Sequence, residues 1–203
     1  MPETDELLIA DLNVPFDTSF RKAGSMNGHP TYPIPPITTI QGLLYAAMGR
    51  PSLLQPNNLP NSTRDREEEF RERVQTTCAF GQRVLQDGTV TSGLWSKQKR
   101  ARETGYLRSP AQRESLIQPA YRIYIGGPAE LINTFTAALR DPQRLLYLGH
   151  SDALVEIADI TRTAATRVSE PENLDCVVPG SGENPTLLPV APDYRGQYTT
   201  HPG

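Results

Sequence analysis

The chain has 203 residues, of which 37% are hydrophobic, and its formal net charge is −3. That length suits one domain with a sizeable core, and the negative mean hydropathy and acidic first residues predict a cytoplasmic protein without membrane contact. The two cysteines and three histidines lack the spacing of metal ligands, and no phosphate-loop or Rossmann glycine motif is present, so we expect no metal and no cofactor.

The first predicted elements are a strand and a stiff arm. LLIADLNVPF, residues 7–16, has the apolar content of a buried strand, and DTSFRK extends its end. In HPTYPIPPITTIQGLLYAAMGRP, residues 29–51, the prolines hold an extended arm because proline is excluded from a helix interior.

The arm leads into an amphipathic helix over about residues 38–48, with Thr38 or Thr39 as its cap and Gly49 at its end. Such an arm would deliver the positive end of a helix to a fixed place, which suits a phosphate. A rigid loop that covers the core is the simpler interpretation of the same residues.

The middle of the chain is predicted to hold a charged helix, a strand and a projecting hairpin. TRDREEEFRERV, residues 63–74, has the composition of a surface helix, and TTCAFGQRVL, residues 76–85, is strand-like. Asp87-Gly88 is a hairpin-type turn signal, after which TVTSGLW can pair back as a further strand.

The next predicted elements are a strand, a helix and two further strand candidates. AYRIYIGG, residues 120–127, alternates between apolar and polar positions, and PAELINTFTAALR, residues 128–140, is a helix with Pro128 at its first position. RLLYLGHSDALVEIADI, residues 144–160, holds two strand candidates split by Gly149, where another backbone can approach closely.

This order of elements is βαββαβ with a long insertion, which predicts an α+β, ferredoxin-like fold with both helices on one side of an antiparallel sheet. We expect one domain over residues 1–168, in which residues 86–118 project as a β-hairpin thumb. The tail, residues 169–203, is rich in proline and glycine. It is predicted to pack on the same domain and to add strands at Cys176–Val178 and Leu187–Val190.

Basic residues are concentrated in the thumb. Between residues 97 and 113 six lysines and arginines stand against one acidic residue, a local charge of +5. This favours a polyanionic partner, whose phosphates cations neutralise and whose unpaired bases stack on aromatic rings. The alternatives are a solvated basic loop and a hairpin docked on an acidic protein. Arg122 and Tyr124 share a strand face and could form a sheet-type RNA surface. The other expected RNA-binding residues are Arg21, Lys22, His29, Tyr32, Thr38, Thr39, Trp95, Lys97, Lys99, Arg100, Arg102, Arg108, Arg113 and His150.

Four segments together resemble the Cas5 family of CRISPR-associated proteins, within the RAMP superfamily. They are TSFRK, HPTYPIPPITTIQGLLYAAMG, YRIYIGG and LLYLGHSDALVEI, and the resemblance as a whole covers roughly residues 7–160. The sequence is most similar to type I systems such as I-B. The resemblance implies an RRM-like RAMP domain with a β-hairpin thumb, which agrees with the order of elements.

The resemblance also implies a role as a non-catalytic crRNA-binding subunit of a type I Cascade surveillance complex in antiviral defence. Such a subunit caps the filament of Cas7 backbone subunits, holds the 5′ handle of the crRNA and contacts the Cas8-type large subunit. Target DNA is reached through the assembled complex. The helix near Thr38 and Thr39 would then lie where the handle bends, and the basic thumb would lie along the guide.

One branch of the family, in type I-C systems, is a metal-independent ribonuclease that processes pre-crRNA with a tyrosine near the end of the first helix and a Lys-His pair. Here Met48 occupies about that helical position, Tyr45 lies nearly a turn earlier, and the sequence contains no Lys-His dipeptide. General acid–base cleavage needs positioned groups that exchange protons. We therefore expect a binding protein, with an endoribonuclease that uses Tyr45 or His29 as the alternative.

Overall fold

The structure, a computed structural model, describes residues 5–22, 28–51, 60–101, 105–150, 152–165, 187–192 and 198–202. The helices in these ranges are α1 (Ile37–Ala47), α2 (Asn61–Thr77) and α3 (Ala129–Arg140). The strands are β1 (Asp5–Asn13), β2 (Asp17–Thr18), β3 (Gly28–His29), β4 (Ala79–Gln86), β5 (Thr89–Ala101), β6 (Gly105–Ile117), β7 (Ala120–Pro128), β8 (Glu156–Ala164), β9 (Leu187–Pro192) and β10 (Tyr198–Pro202).

The central sheet has four strands in the order β4-β7-β1-β8. Each neighbouring pair is antiparallel, with β7 between β1 and β4 and with β8 on the other edge of β1. This is the strand order of a βαββαβ chain, so the predicted α+β, ferredoxin-like fold is confirmed.

The core lies between this sheet and helices α1 and α3. Alternate side chains of β1 and β7 face it, because successive residues of a strand point to opposite faces: Leu8, Ala10, Leu12, Tyr121, Ile123 and Ile125. The helices contribute Ile40, Leu44, Ile132, Phe135 and Leu139. Burial of each large apolar side chain contributes about 1.5–3 kcal/mol to folding. The hydroxyl of Tyr121 donates to the carbonyl of Pro33 at 3.2 Å and so ties the proline arm to the sheet.

Helix α1 begins earlier than expected, and a proline is its N-cap. The carbonyl of Pro36 accepts the amides of Thr39 and Ile40, and no side chain caps the helix. The expectation that Thr38 or Thr39 is the cap is therefore wrong. Pro36 already has the extended backbone that an N-cap needs, so both threonines lie inside the first turn.

The end of α1 confirms the prediction made for Gly49. Its φ is +70°, and the amides of Gly49 and Arg50 donate to the carbonyls of Ala46 and Tyr45. These two hydrogen bonds are the pattern of a Schellman motif, in which glycine adopts the left-handed conformation without steric cost.

The charged helix is longer than predicted. α2 runs over Asn61–Thr77, and it includes residues 76 and 77, which we had expected in the next strand. The hydroxyl of Thr77 donates to the carbonyl of Arg73, so this β-branched residue is accommodated in the last turn. α2 docks on the end of α1 through Arg50, whose guanidinium donates two hydrogen bonds to the carboxylate of Glu67 at 3.0 and 3.1 Å.

Strands β5 and β6 form the predicted thumb, paired from Thr89 opposite Ile117 to Ala101 opposite Gly105. The hairpin turn predicted at Asp87-Gly88 is wrong, because β4 pairs with β7 whereas β5 pairs with β6.

Residues 87–88 and 118–119 are instead the two sides of a bend between the central sheet and the thumb. The chains approach closely there, since a Cβ at Gly88 would lie 2.8 Å from the Cβ of Leu116. Gln118, on the opposite side, has a φ of +52°. Asp87-Gly88 therefore changes the direction of the chain, but it does not connect two strands that pair with each other.

The base of the thumb belongs to a second sheet. On its other edge β6 pairs with β2, antiparallel, and with β3, parallel. The first predicted strand is therefore broken in two: β1 ends at Asn13, and the chain re-enters a sheet at Asp17. Pro15 lies in the interval, where a residue without an N–H cannot continue a ladder.

Of the two strand candidates after α3, only β8 is regular. The predicted strand around Tyr147 is wrong, since that segment makes one isolated bridge, between Tyr147 and Leu154. The amide of Leu148 donates to the carbonyl of Ala153 at 2.9 Å, so this segment pairs with residues that closely follow it and not as a regular strand of a sheet.

The tail contributes β9, which includes the strand predicted at Leu187–Val190, and β10, which pairs with it and was not predicted. β9 lies against α1. The strand predicted at Cys176–Val178 lies outside the described residues. None of the helices in the described ranges is long and apolar enough to cross a bilayer.

Candidate nucleic-acid interface

Three segments that are far apart in the sequence meet at the base of the thumb: residues 17–22, residues 28–32 and residues 148–152. The amide of Phe20 donates to the hydroxyl of Thr31 at 2.8 Å, and the amide of Tyr32 donates to the carbonyl of Phe20 at 2.8 Å. The hydroxyl of Thr18 donates to the carbonyl of Leu148 and so fixes the third segment to the first.

Gly149 makes the contact between these segments possible. Its φ is +107°, and a Cβ there would lie 2.5 Å from Thr18 Oγ1 and 2.9 Å from the carbonyl oxygen of Ser19. The close backbone approach predicted for this glycine is confirmed. Because Gly149 lies against Thr18, the next residue, His150, is held beside Asp17.

His150 is the centre of a cluster of charged groups. Its Nδ1 lies 2.6 Å from Oδ1 of Asp152, and its Nε2 lies 4.0 Å from Oδ2 of Asp17. Nη2 of Arg113, on β6, lies 3.8 Å from the same Oδ2. The hydrogen bond from His150, followed by a backbone hydrogen bond and the charge of His150, lowers the pKa of Asp152 below its ordinary value.

His29 and Arg113 are register neighbours in the second sheet, on β3 and β6. His29 is buried, with 3% exposure, whereas Arg113 is partly exposed. On the other edge of β6, Arg113 is paired with Gly93 of β5, where an added Cβ would meet no atom within 4 Å. The guanidinium of Arg113 is thus bordered on one side by a strand position without a side chain.

Lys22 and Tyr32 form a second contact at this site. The Nζ of Lys22 lies 5.6 Å from the centroid of the Tyr32 ring, within cation–π range, while Arg21 is exposed and makes a backbone bridge to Thr31. Tyr32, which we expected among the RNA-binding residues, is 7% exposed. Its ring packs into the core as part of the arm, so a base could not stack on it in this conformation.

The remaining expected residues lie on α1 and on the thumb. Thr38 and Thr39 are partly buried in the first turn of α1. On the thumb, the structure describes the backbone positions of Trp95, Lys97, Lys99, Arg100 and Arg108, which all belong to β5 or β6. Arg102 lies outside the described residues.

The outer face of the central sheet is arranged differently from the expectation. Arg122, which we considered for base reading together with Tyr124, donates two hydrogen bonds to Asp11 on the neighbouring strand. Tyr45, the candidate catalytic residue of the endoribonuclease alternative, is 4% exposed and packs edge-on against Phe70.

Sequence reasoning did not assign the carboxylates of Asp17 and Asp152 to this site, because carboxylates were not sought in a site expected to bind an anion. Two signals could have found them: Asp17 directly precedes TSFRK, and Asp152 ends YLGHSD. Among the described residues, no group of three or more histidines, cysteines and carboxylates is arranged to hold a metal ion.

Comparison with known proteins places this geometry in a family context. The sequence model of a family described as "CRISPR-associated protein (Cas_Cas5)" matches residues 8–190. No curated protein sequence matches the chain.

Among solved structures, a chain of a "CRISPR RNA-guided surveillance complex" is similar with a TM-score of 0.60 and 17% identity, over 96% of this chain and 87% of its own. At that identity the likeness shows a shared fold. A "Cas protein" crystal structure matches with a TM-score of 0.45 and 22% identity, over 73% of this chain and 58% of its own. A CRISPR protein from Archaeoglobus fulgidus matches with a TM-score of 0.44 and 14% identity, over 77% of this chain and 63% of its own.

Proposed function

This chain belongs to the Cas5 family of CRISPR-associated proteins, and on that premise we propose that it is a non-catalytic, crRNA-binding subunit of a type I surveillance complex. The family match covers most of the chain, including the thumb and the segments that meet at its base. The shared fold with a chain of a CRISPR RNA-guided surveillance complex supports the same proposal.

The observation that carries the proposal is the convergence at the base of the thumb. TSFRK, the start of the proline arm and LGHSD lie together there, beside Arg113 of β6. The thumb that leaves this point carries the local charge of +5. A cationic hairpin that rises from a polar cluster containing arginine and histidine is suited to follow a phosphate backbone.

The finer roles follow from family membership. The chain would hold the 5′ handle of the crRNA at the base of the thumb and cap one end of the Cas7 filament. It would contact the Cas8-type large subunit and reach target DNA through the complex. Processing of the precursor would be left to a separate nuclease of the Cas6 type.

The direct test is to purify the tagged protein from its native host and to sequence the 5′ ends of the RNA that comes with it. Uniform ends, with one repeat-derived tag before varied spacers, are the expected result. Random RNA, or none, would contradict the proposal and favour a scaffold whose basic hairpin docks on an acidic protein.

A second candidate function, metal-independent cleavage of pre-crRNA, is favoured by one observation. Asp152 holds Nδ1 of His150 at 2.6 Å, which is how a carboxylate orients an imidazole for proton transfer. Against it, Tyr45 and His29 are 4% and 3% exposed, so their side chains do not face solvent.

The two functions separate in a cleavage assay with the cognate repeat hairpin and a chelator. We expect binding without cleavage. Cleavage that is lost in His150→Ala or Tyr45→Phe, with RNA affinity retained, would establish the enzyme instead.

A further inference from the structure

The side chains of Arg113 and His150 converge on a single carboxylate oxygen at the base of the thumb. Nη2 of Arg113 and Nε2 of His150 lie 3.8 and 4.0 Å from Oδ2 of Asp17. Both distances exceed a hydrogen bond, which needs about 2.7–3.2 Å for a nitrogen donor. Oδ2 of Asp17 therefore faces both groups without forming a hydrogen bond with either of them.

The orientation of His150 is fixed independently of Asp17. Asp152 holds Nδ1 at 2.6 Å, and Gly149 packs against Thr18, so the opposite ring nitrogen points towards Oδ2 of Asp17. That nitrogen, Nε2, is buried and has no hydrogen-bond partner among the described residues. A buried imidazole nitrogen in this situation gains from an acceptor that comes closer than 4.0 Å.

The side chains of the cluster are partly exposed to solvent. The side chains of Asp17, Arg113 and His150 are 39%, 27% and 19% exposed, and Gly93 leaves the register position next to Arg113 without a side chain. The Asp17 carboxylate is the most exposed of the three groups, so it has the most freedom to rotate away from the other two.

We propose that Asp17 occupies a phosphate subsite in the RNA-free chain, and that a backbone phosphate of bound RNA displaces it to contact Arg113 and Nε2 of His150. This inference rests on the proposed function, because it names the groups that take one phosphate of the bound RNA. A phosphate diester offers two non-bridging oxygens, so Arg113 and His150 can each contact a separate oxygen. In the RNA-free chain both side chains face the same oxygen, Oδ2 of Asp17.

The consequence is opposite to that of an ordinary structural ion pair. Asp17 competes with RNA for the same two groups, and its charge also repels an incoming phosphate. Removal of that charge about 4 Å from Arg113 and His150 should raise RNA affinity by about three- to tenfold at low salt. Neutralisation of Arg113 should lower RNA affinity and should abolish the gain.

The test measures dissociation constants of the purified, RNA-free full chain for a single-stranded RNA with the repeat-derived 5′ tag and for an RNA of unrelated sequence. The variants are Asp17→Asn, Arg113→Gln and the double variant, with thermal unfolding as the check on folding. Asp17→Ser is a second way to remove the charge should the asparagine disturb the strand. Asp65→Asn, on the exposed face of α2, is the matched control. It makes the same change in net charge as Asp17→Asn, but on a different element of the fold.

We expect tighter binding of both RNAs by Asp17→Asn, no more than a twofold change in Asp65→Asn, and no gain in the double variant over Arg113→Gln. Unchanged or weaker binding by both Asp17 variants would overturn the inference. A gain that survives in the double variant would overturn it too, since the effect would then be general charge. Equal affinity of the wild type for the two RNAs would contradict the proposed recognition of the 5′ handle. It would not bear on Asp17, because the effect of Asp17 is measured by comparing variants on the same RNA.

Discussion

The guanidinium of Arg122 donates two hydrogen bonds to the carboxylate of Asp11, from Nε at 2.7 Å and from Nη2 at 2.8 Å, across the outer face of the central sheet. These hydrogen bonds and the charge of Asp11 raise the pKa of Arg122 above its ordinary value. A bidentate pair of this kind occupies both sides of the guanidinium fork. The cation that a sheet-type RNA surface would need is therefore already engaged within the sheet.

The first prediction concerns this pair. Arg122→Gln should lower the melting temperature, because Asp11 loses its partner, and should leave RNA affinity within about twofold of the wild type. Thermal unfolding and RNA titration on the same samples check it. A large loss of RNA affinity with an unchanged melting temperature would place RNA on the sheet face and not at the thumb.

The second prediction concerns Gly149. Gly149→Ala would require an L-residue at a φ of +107° and a Cβ within 3 Å of Thr18 and Ser19, so we expect a loss of about 2–4 kcal/mol in the free energy of unfolding. Urea denaturation measures this loss.

The matched control for Gly149→Ala is Gly42→Ala, at an exposed position in the interior of α1 with open space around it. There alanine should stabilise the protein by about 0.5–1 kcal/mol, because glycine in a helix interior loses more backbone entropy. Two alanine variants of opposite sign would show that the close approach at residue 149 is specific. Equal effects would show that it is not.

The third prediction concerns the charge of the thumb. Simultaneous replacement of Lys99, Arg100 and Arg102 by glutamine should weaken RNA binding and leave the melting temperature unchanged. For single-stranded RNA each lost phosphate contact reduces the slope of log affinity against log salt by about 0.7, so three contacts reduce it by about two.

Titrations at four or five salt concentrations give this slope. The control replaces three arginines of the helices, Arg66, Arg73 and Arg140, and so makes the same change in net charge away from the thumb. An equal loss in both triple variants would mean that RNA senses only overall charge. No loss in the thumb variant would remove the thumb from the binding site.

The fourth prediction concerns the pH dependence contributed by Asp152. Its pKa in the folded protein is lowered, chiefly by the hydrogen bond with His150, so it binds protons more weakly when folded than when unfolded. Its stabilising contribution is therefore complete above the ordinary pKa of an aspartate, about 3.9, and is lost as the pH falls through the lowered value.

The difference in unfolding free energy between wild type and Asp152→Asn should thus be present at pH 5 and should vanish as the pH falls through the lowered pKa of Asp152. Because Asp152 is largely exposed, the difference will be small. The same comparison in a His150→Gln background should show most of the difference abolished at every pH. A difference that persists in that background would assign the lowered pKa to the backbone instead.

Local signals were sufficient for the elements that depend on neighbours in the sequence. The alternation of residues 120–127 specified β7, and Gly49 specified the end of α1. The strand order followed from the order of elements, because few arrangements bury the predicted faces.

The errors arose where pairing over long distances decided the outcome. Asp87-Gly88 was recognised as a turn, but its local sequence carries no information on whether β5 returns to β4 or continues to β6. The segment around Tyr147 has the apolar pattern of a strand. Its position is nevertheless set by a hydrogen bond from the hydroxyl of Thr18 to the carbonyl of Leu148, two residues that are 130 positions apart in the sequence. The candidate site depends on such contacts, so the sequence could nominate single residues but could not place Asp17 beside Arg113 and His150.

The second sheet also determines how the thumb behaves mechanically. Partners β2 and β3 hold β6 between Gln112 and Ile117, and the seven residues from Gly105 to Ala111 extend beyond them, a length of about 23 Å at ~3.3 Å per residue. The thumb is therefore fixed at its base by strand pairing and does not pivot there on a flexible hinge. A change in the number of thumb residues would alter the length of the thumb without altering its direction. A change in the pairing of β6 with β2 and β3 would alter the direction of the thumb without altering its length.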